Sequence, residues 1–342
     1  MYSFNNDYSE GACKPILENL IKTNFVQADG YGLDKFCLAA EKLLKIRLGD
    51  KDVDVHFVTG GTPANALAAT LLKPYEALIC AENGHINVHE TGAVEATGHK
   101  ILTSKGVDGK ITAKEIEDIV LVHPDEHMVK PKMVFISNPS ELGTIYSKQE
   151  LTDISNICKK YNLYLYMDGA RLANALTATN NDITLKDLTK LLDIFYIGGT
   201  KNGCLLGEAM VIKNDELKPN FRFLIKQHNS MLAKERTIGV EFLTLFENDL
   251  FYQNGDNANK MAQQLKQFFI DNNIKMYVDS PTNQIFPILD NDLIIKLRQN
   301  YLFSNWKTID DNHTAVRFVC SWACKQENID EFKQYFNQLL HS

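Results

Sequence analysis

The chain has 342 residues, of which 44% are apolar and 23% charged, with a net charge of −7 and a pI near 5.7. That length suits a large domain plus a smaller one, and the composition excludes a disordered or fibrous chain. The acidic balance argues against nucleic acid as a partner, because such binders need a basic surface to neutralise phosphates.

Seven cysteines are scattered without a CxxC pair, which points to reduced thiols. The N-terminal MYSFNNDYSE has neither a basic n-region nor an apolar h-region, so no secretory signal is expected. No apolar run approaches the roughly 18 residues needed to cross a bilayer. A soluble cytoplasmic protein with no membrane partner is the expectation.

In chain order, short apolar runs alternate with amphipathic stretches. Strands are expected at Val53–Val58, Glu76–Cys80, Met133–Ser137, Leu163–Met167 and Ile194–Ile197. Helices are expected at Pro63–Leu72, Ala113–Val120, Lys148–Tyr161 and Leu185–Leu191. Ser147 followed by Glu150 reads as a capping box for the third of these. The alternation predicts an α/β fold with a mostly parallel sheet flanked by helices. After about residue 250 the pattern changes to a helix at Asn257–Asn273, strands at Lys275–Val278, Gln284–Ile288 and Ala315–Val319, and a closing helix at Asn328–Leu340. We expect a large domain at 21–250 and a smaller α+β domain at 251–342, with residues 1–20 packing on the smaller one.

Four segments carry chemistry. Phe195–Ile197 runs into Gly198-Gly199-Thr200-Lys201, so a lysine stands at a strand end, where open α/β sheets gather their ligands. Such a lysine suits a Schiff base if it can lose its proton. Tyr164–Met167 delivers Asp168 and, three residues later, Arg171. A carboxylate there could keep a pyridinium nitrogen protonated, and Arg171 could bind a phosphate or tune the site. Thr59-Gly60-Gly61-Thr62-Pro63 joins a strand to a helix and offers backbone N–H groups as a phosphate cradle. It is neither GxGxxG nor a Walker loop, so neither a dinucleotide nor ATP is suggested. His85 could lie flat on a cofactor ring. His85 and His89 are spaced i, i+4, yet no further ligand completes a zinc set, so no metal is expected.

In this order the segments resemble the fold type I pyridoxal-phosphate enzymes. Within them the chain most resembles the low-specificity threonine aldolases of the aromatic amino acid β-eliminating lyase group. The resemblance covers nearly the whole chain. It includes Tyr31-Gly32-Leu33-Asp34, His85 with Glu90, Asp168-Gly169-Ala170-Arg171, Thr200-Lys201 and Val316-Arg317-Phe318. It implies pyridoxal 5′-phosphate as cofactor, bound by Gly60, Gly61, Thr62, His85, Asp168, Arg171, Thr200, Lys201 and, from a neighbouring subunit, Lys226. It implies Arg317 as the clamp for a substrate carboxylate, with Asn6, Tyr31 and Ser140 beside the substrate. It also implies a homodimer or homotetramer with sites between subunits.

Two segments differ from the family pattern. Ser140 or Glu141 stands where the family carries a histidine, and Asn6-Asp7-Tyr8-Ser9 replaces Arg-Ser-Asp-Thr. The catalytic candidates are therefore Lys201, His85 and Glu141. The expected reaction is retro-aldol cleavage of a β-hydroxy-α-amino acid to glycine and an aldehyde. β-Elimination or transamination of another amino acid, and a weakly active cofactor-binding protein with a regulatory role, stay open.

Overall fold

In the computed structural model, which describes residues 1–340, the apolar runs form one seven-stranded sheet. Its strands are β1 (Asp54–Val58), β2 (Glu76–Ala81), β3 (Lys100–Ser104), β4 (Lys130–Ser137), β5 (Tyr164–Asp168), β6 (Ile194–Gly198) and β7 (Glu208–Ile212). The spatial order is β1-β7-β6-β5-β4-β2-β3. Only β7 runs against its neighbours. The interior strands are buried on both faces, as parallel strands covered by helices must be. Successive residues feed opposite cores. Val134, Ile136, Leu165 and Phe195 join one cluster; Met133, Phe135, Tyr166 and Ile194 join the other.

The expected capping box is present. Ser147 Oγ accepts from the Glu150 N–H at 3.2 Å, and Glu150 Oε2 accepts from the Ser147 N–H at 2.7 Å. Several elements go beyond the sequence expectation. The helix at Lys35–Leu48 starts at Asp34, whose Oδ1 accepts from the Phe36 and Cys37 N–H groups, and ends at Gly49 with φ 67°. Strands β3 and β7 and the helix at Arg236–Glu247 were not expected either. Strand β3 is half exposed and polar at both ends, whereas β7 carries an apolar run, Ala209–Ile212, that the sequence reading missed.

Towards the C-terminus, the helix at Leu250–Asp271 is longer than expected and ties two cores together. Its Phe251 packs in the core of the large sheet, while Met261, Leu265 and Phe269 pack with Phe318, Phe332 and Phe336. The latter core lies under strands β8 (Gln284–Ile285), β9 (Ile288–Asp290), β10 (Ser304–Thr308) and β11 (His313–Val319). Lys275–Val278 does not form the expected strand; Met276 makes a single bridge to Pro287. The first twenty residues divide. Tyr2–Ser3 pairs with Tyr301–Leu302 and Phe4 joins the C-terminal core, whereas the helix at Lys14–Thr23 sets Ile16 into the core of the large sheet. The expected boundary at residue 20 therefore falls inside a helix. No helix among the described residues is long and apolar enough to cross a membrane.

Candidate active site

The parallel strands end along one edge of the sheet, and a cavity of about 400 Å³ opens there. A second hollow, of about 540 Å³, lies at the other ends of the strands beside Asn162, Asp193 and Lys213 and gathers none of the candidate residues. The first is lined by Gly60, Gly61 and Thr62 after β1, His85 and His89 after β2, and Glu141 after β4. Asp168 ends β5, and Thr200 and Lys201 follow β6 at the same cavity.

The cradle follows from local geometry. The helix at Gly61–Ala69 begins in the cavity wall, with its first N–H groups open. A Cβ on Gly61 would come within 2.9 Å of the Tyr196 hydroxyl, so only glycine leaves room there. Lys201 Nζ lies 5.9 Å from the Tyr8 ring centroid. Burial, and then the charge of Arg171, hold the lysine's proton affinity below its ordinary value, against Asp7, Glu141 and Asp168. An amine so placed can act as a neutral nucleophile.

Behind the cavity runs a buried polar network. Asp168 Oδ1 accepts from the Ala170 N–H at 2.9 Å and from the Tyr196 hydroxyl at 2.5 Å, and Oδ2 accepts from Asn65 Nδ2 at 3.0 Å. The same Asn65 amide donates to Glu90 Oε1 at 2.6 Å, and the Tyr166 hydroxyl donates to Asn65 Oδ1 at 2.6 Å. Glu90 Oε1 also meets His85 Nδ1 at 2.7 Å. Burial disfavours the His85 imidazolium, but Glu90, Glu141 and Asp168 outweigh it and raise the pKa above 6.5. Burial keeps the neighbouring His89 below 6.5 despite Glu141. His85, Glu90 and Asp168 each have a ligand atom within 4.8 Å of the others, a spacing a cation could use. Those atoms already bond one another or Asn65, which accounts for the cluster without an ion.

Of the two roles expected for Arg171, binding a phosphate or tuning the site, its contacts favour the second. Its Nε and one terminal nitrogen donate to Asp7 Oδ2 and Oδ1 at 2.6 and 3.1 Å. Asn283 Nδ2 donates to the same Asp7 at 2.9 Å. Burial opposes ionisation of Asp7, but Arg171 and Lys201 prevail and lower its pKa below 3.8. Arg317, on β11, has a buried Nε without a hydrogen-bond partner among the described residues. Its guanidinium lies 5.5 Å from the Trp306 ring centroid. Burial and the nearby Arg171 lower its pKa, against Glu141 and Asp7. A half-buried guanidinium with an idle donor suits a carboxylate.

Other candidates lie apart from the cavity lining. Asn6 Oδ1 accepts from the Tyr8 N–H and the Ser9 hydroxyl. Ser140 is buried and bonds Thr144 Oγ1 at 2.7 Å. Tyr31 and Lys226 are exposed and stack on each other, with Nζ 4.4 Å from the ring centroid. The sequence reading missed Asn65, Tyr166, Tyr196 and Glu208. A tyrosine inside an apolar strand was the available signal, since a buried hydroxyl needs a partner.

Comparison with known proteins agrees with this geometry. The sequence profile of the β-eliminating lyase family matches residues 11–290. The low specificity L-threonine aldolase of Pseudomonas aeruginosa is 31% identical over 96% of this chain and 95% of its own length. A structure of Leishmania major threonine aldolase superposes with a TM-score of 0.98 at 44% identity, covering 99% of this chain and all of that one. An aspartate aminotransferase from Thermotoga maritima, at 14% identity, covers 99% of this chain and 92% of that one with a TM-score of 0.73, and shares the fold. The fold is therefore that of the fold type I pyridoxal-phosphate enzymes, and the residues at the strand ends suit that cofactor. The chain belongs to the β-eliminating lyase family, with the low-specificity threonine aldolases as its relatives, and is a pyridoxal-phosphate-dependent lyase.

Proposed function

We propose that the chain cleaves a β-hydroxy-α-amino acid of the threonine type to glycine and an aldehyde. The observation that carries the reading is the convergence of Lys201, Asp168, His85 and the Gly60–Thr62 cradle on one cavity, in a chain whose relatives are named threonine aldolases. Pyridoxal phosphate, when bound, supplies an electron sink for the pair released from the Cα–Cβ bond.

The chain's own groups do the rest. Lys201 would hold the cofactor through its amine, which burial leaves ready to give up its proton. Asp168, fixed by Tyr196, Asn65 and its own turn, would pair with the cofactor's ring nitrogen. Gly60, Gly61, Thr62 and Thr200 hold the phosphate. His85, oriented by Glu90, would stack on the cofactor. Arg317 takes the substrate carboxylate and so sets which bond at Cα is aligned for cleavage. The β-hydroxyl proton goes to Glu141 or to a histidine of the His85–His89 pair, whose rings lie 5.4 Å apart. His89 joins the candidates because burial leaves it neutral and able to accept a proton.

Arg171 acts through Asp7, bracing the wall beside Lys201. Tyr31 and Lys226, together on the surface, serve the site of a second copy in a homodimer or homotetramer; Asn6 lies beside the substrate of its own chain's site, and the buried Ser140 supports that wall through Thr144. The two cores work as a large domain, to which the helix at Lys14–Thr23 and Phe251 belong, and a smaller C-terminal domain, to which Phe4 belongs. Among the described residues all seven cysteines are unbonded and buried, which suits a reducing, cytoplasmic setting.

The test is product analysis with L-threonine, L-allo-threonine and L-serine. Glycine and aldehyde in equal amounts are expected. Ammonia with a keto acid would assign β-elimination, and a pyridoxamine form of the enzyme would assign transamination.

A further inference from the structure

Glu208 is a buried carboxylate that the proposed chemistry leaves without a task. It opens β7, the strand that runs against the others, so it sits among the C-terminal ends of the parallel strands. Its backbone pairs with Val58 on one side and Gly198 on the other. Those two residues end the strands that deliver the Gly60–Thr62 cradle and Lys201. Glu208 Oε2 accepts from the Gly199 N–H at 2.7 Å and from the Thr200 N–H at 3.4 Å. The residue is 4% exposed, and it lines the cavity together with Gly60, Gly61, Thr62 and Thr200.

A carboxylate in that position conflicts with the cradle around it. Helix N-terminal N–H groups attract an anion, and a phosphate beside an ionised carboxylate in a dry wall is repelled. A proton on the carboxylate removes the conflict and turns an acceptor into a donor. We propose that Glu208 is a positioning residue for the cofactor phosphate, tying down the Gly199–Thr200 turn and carrying a proton whenever the phosphate is bound.

The surroundings favour the protonated form. Burial pushes the Glu208 carboxyl up to about 7, against the Gly199 N–H, Thr200 and Lys201. The titratable groups facing it are Tyr166 of β5, Tyr196 of β6, Lys201 and Cys204 of the preceding loop, and Glu241 of the helix at Arg236–Glu247. The tyrosines and the thiol are held neutral by burial, and Glu241 adds negative charge that also favours the proton.

This inference rests on the cradle reading, and one experiment separates the two. Pyridoxamine 5′-phosphate carries the phosphate but forms no Schiff base with Lys201. Its affinity for cofactor-free wild type, Glu208→Gln, Glu208→Asp and Gly61→Ala is measured by its fluorescence from about pH 6.5 to about pH 8.5. The wild-type affinity, taken relative to Glu208→Gln, should fall about tenfold for each pH unit above 7. Glu208→Asp, which keeps an acid, should retain a slope that Glu208→Gln lacks. Gly61→Ala should bind weakly at every pH. Parallel pH curves for wild type and Glu208→Gln, with Gly61→Ala weakened, would overturn the role of Glu208 alone. Unchanged affinity in Gly61→Ala would overturn the cradle, and the role of Glu208 with it.

Discussion

Asp7 and Arg171, separated by 164 positions in sequence, form a two-pronged ion pair whose side chains are 1% and 9% exposed. The pair pins the N-terminal segment to the turn after Asp168, beside Lys201. Removing one partner leaves a buried charge uncompensated, so Asp7→Ala should cost about 3–5 kcal/mol of unfolding free energy. Because the Asp7 pKa is lowered in the folded chain, its contribution is present above pH 3.8 and lost as pH falls further. Urea denaturation at neutral pH measures the loss. A wild-type midpoint in Asp7→Ala would show that the pair contributes nothing net.

Asn65 is the shared donor for Glu90 and Asp168. Asn65→Leu keeps the volume but leaves both carboxylates short of a hydrogen bond, at about 1–3 kcal/mol for each unsatisfied group. It should loosen cofactor binding and change the pH at which His85 titrates, followed by NMR of the imidazole. An unchanged His85 titration and unchanged cofactor affinity would mean that Asn65 only fills space.

These contacts mark what the sequence could and could not reveal. Lys201, Asp168, His85 and Gly60–Thr62 were legible because each is a local event, a strand ending in residues with chemical purpose. The Asn65 bridge joins residues 103 apart, and Asp7 meets Arg171 across the whole large domain, so no spacing rule exposes either. The motif alone leaves Arg171 open between a phosphate and a tuning role for the same reason: its partner Asp7 lies outside the motif. The sequence pattern starts the long helix at Leu250–Asp271 only at Asn257, because its first turns bury Phe251 in a different core from its last.

Burial pushes Glu208, Glu235 and Glu241 each up to about 7, from an ordinary value of 4.5. Between those values the folded chain binds more protons than the unfolded one. Unfolding free energy therefore falls as pH rises from about 4.5 to about 7, and the penalty is complete above that. Glu241→Gln should gain stability over wild type progressively across this window. Thermal denaturation at several pH values checks it; a constant difference between the two proteins would contradict the shift.

Trp306 lies against Arg317 through an irregularity in β10. Asn305 pairs with Val316 and Lys307 with Ala315, so Trp306 is the extra residue of a bulge, and its ring also meets Phe286 at 5.1 Å. A cation–π contact of this kind contributes about 0.5–1 kcal/mol. Trp306→Ala should raise KM for the amino acid roughly two- to five-fold with little change in kcat, and Trp306→Phe should restore most of it. Equal KM values in all three proteins would remove Trp306 from the carboxylate clamp.

The most direct test of the account is where the cofactor is bonded. Purified protein loaded with pyridoxal phosphate is reduced with borohydride, digested, and its peptides are read by mass spectrometry. The account predicts a single phosphopyridoxyl group, on Lys201, and none in Lys201→Ala. A group on another lysine, or a protein that takes up no pyridoxal phosphate, would contradict it.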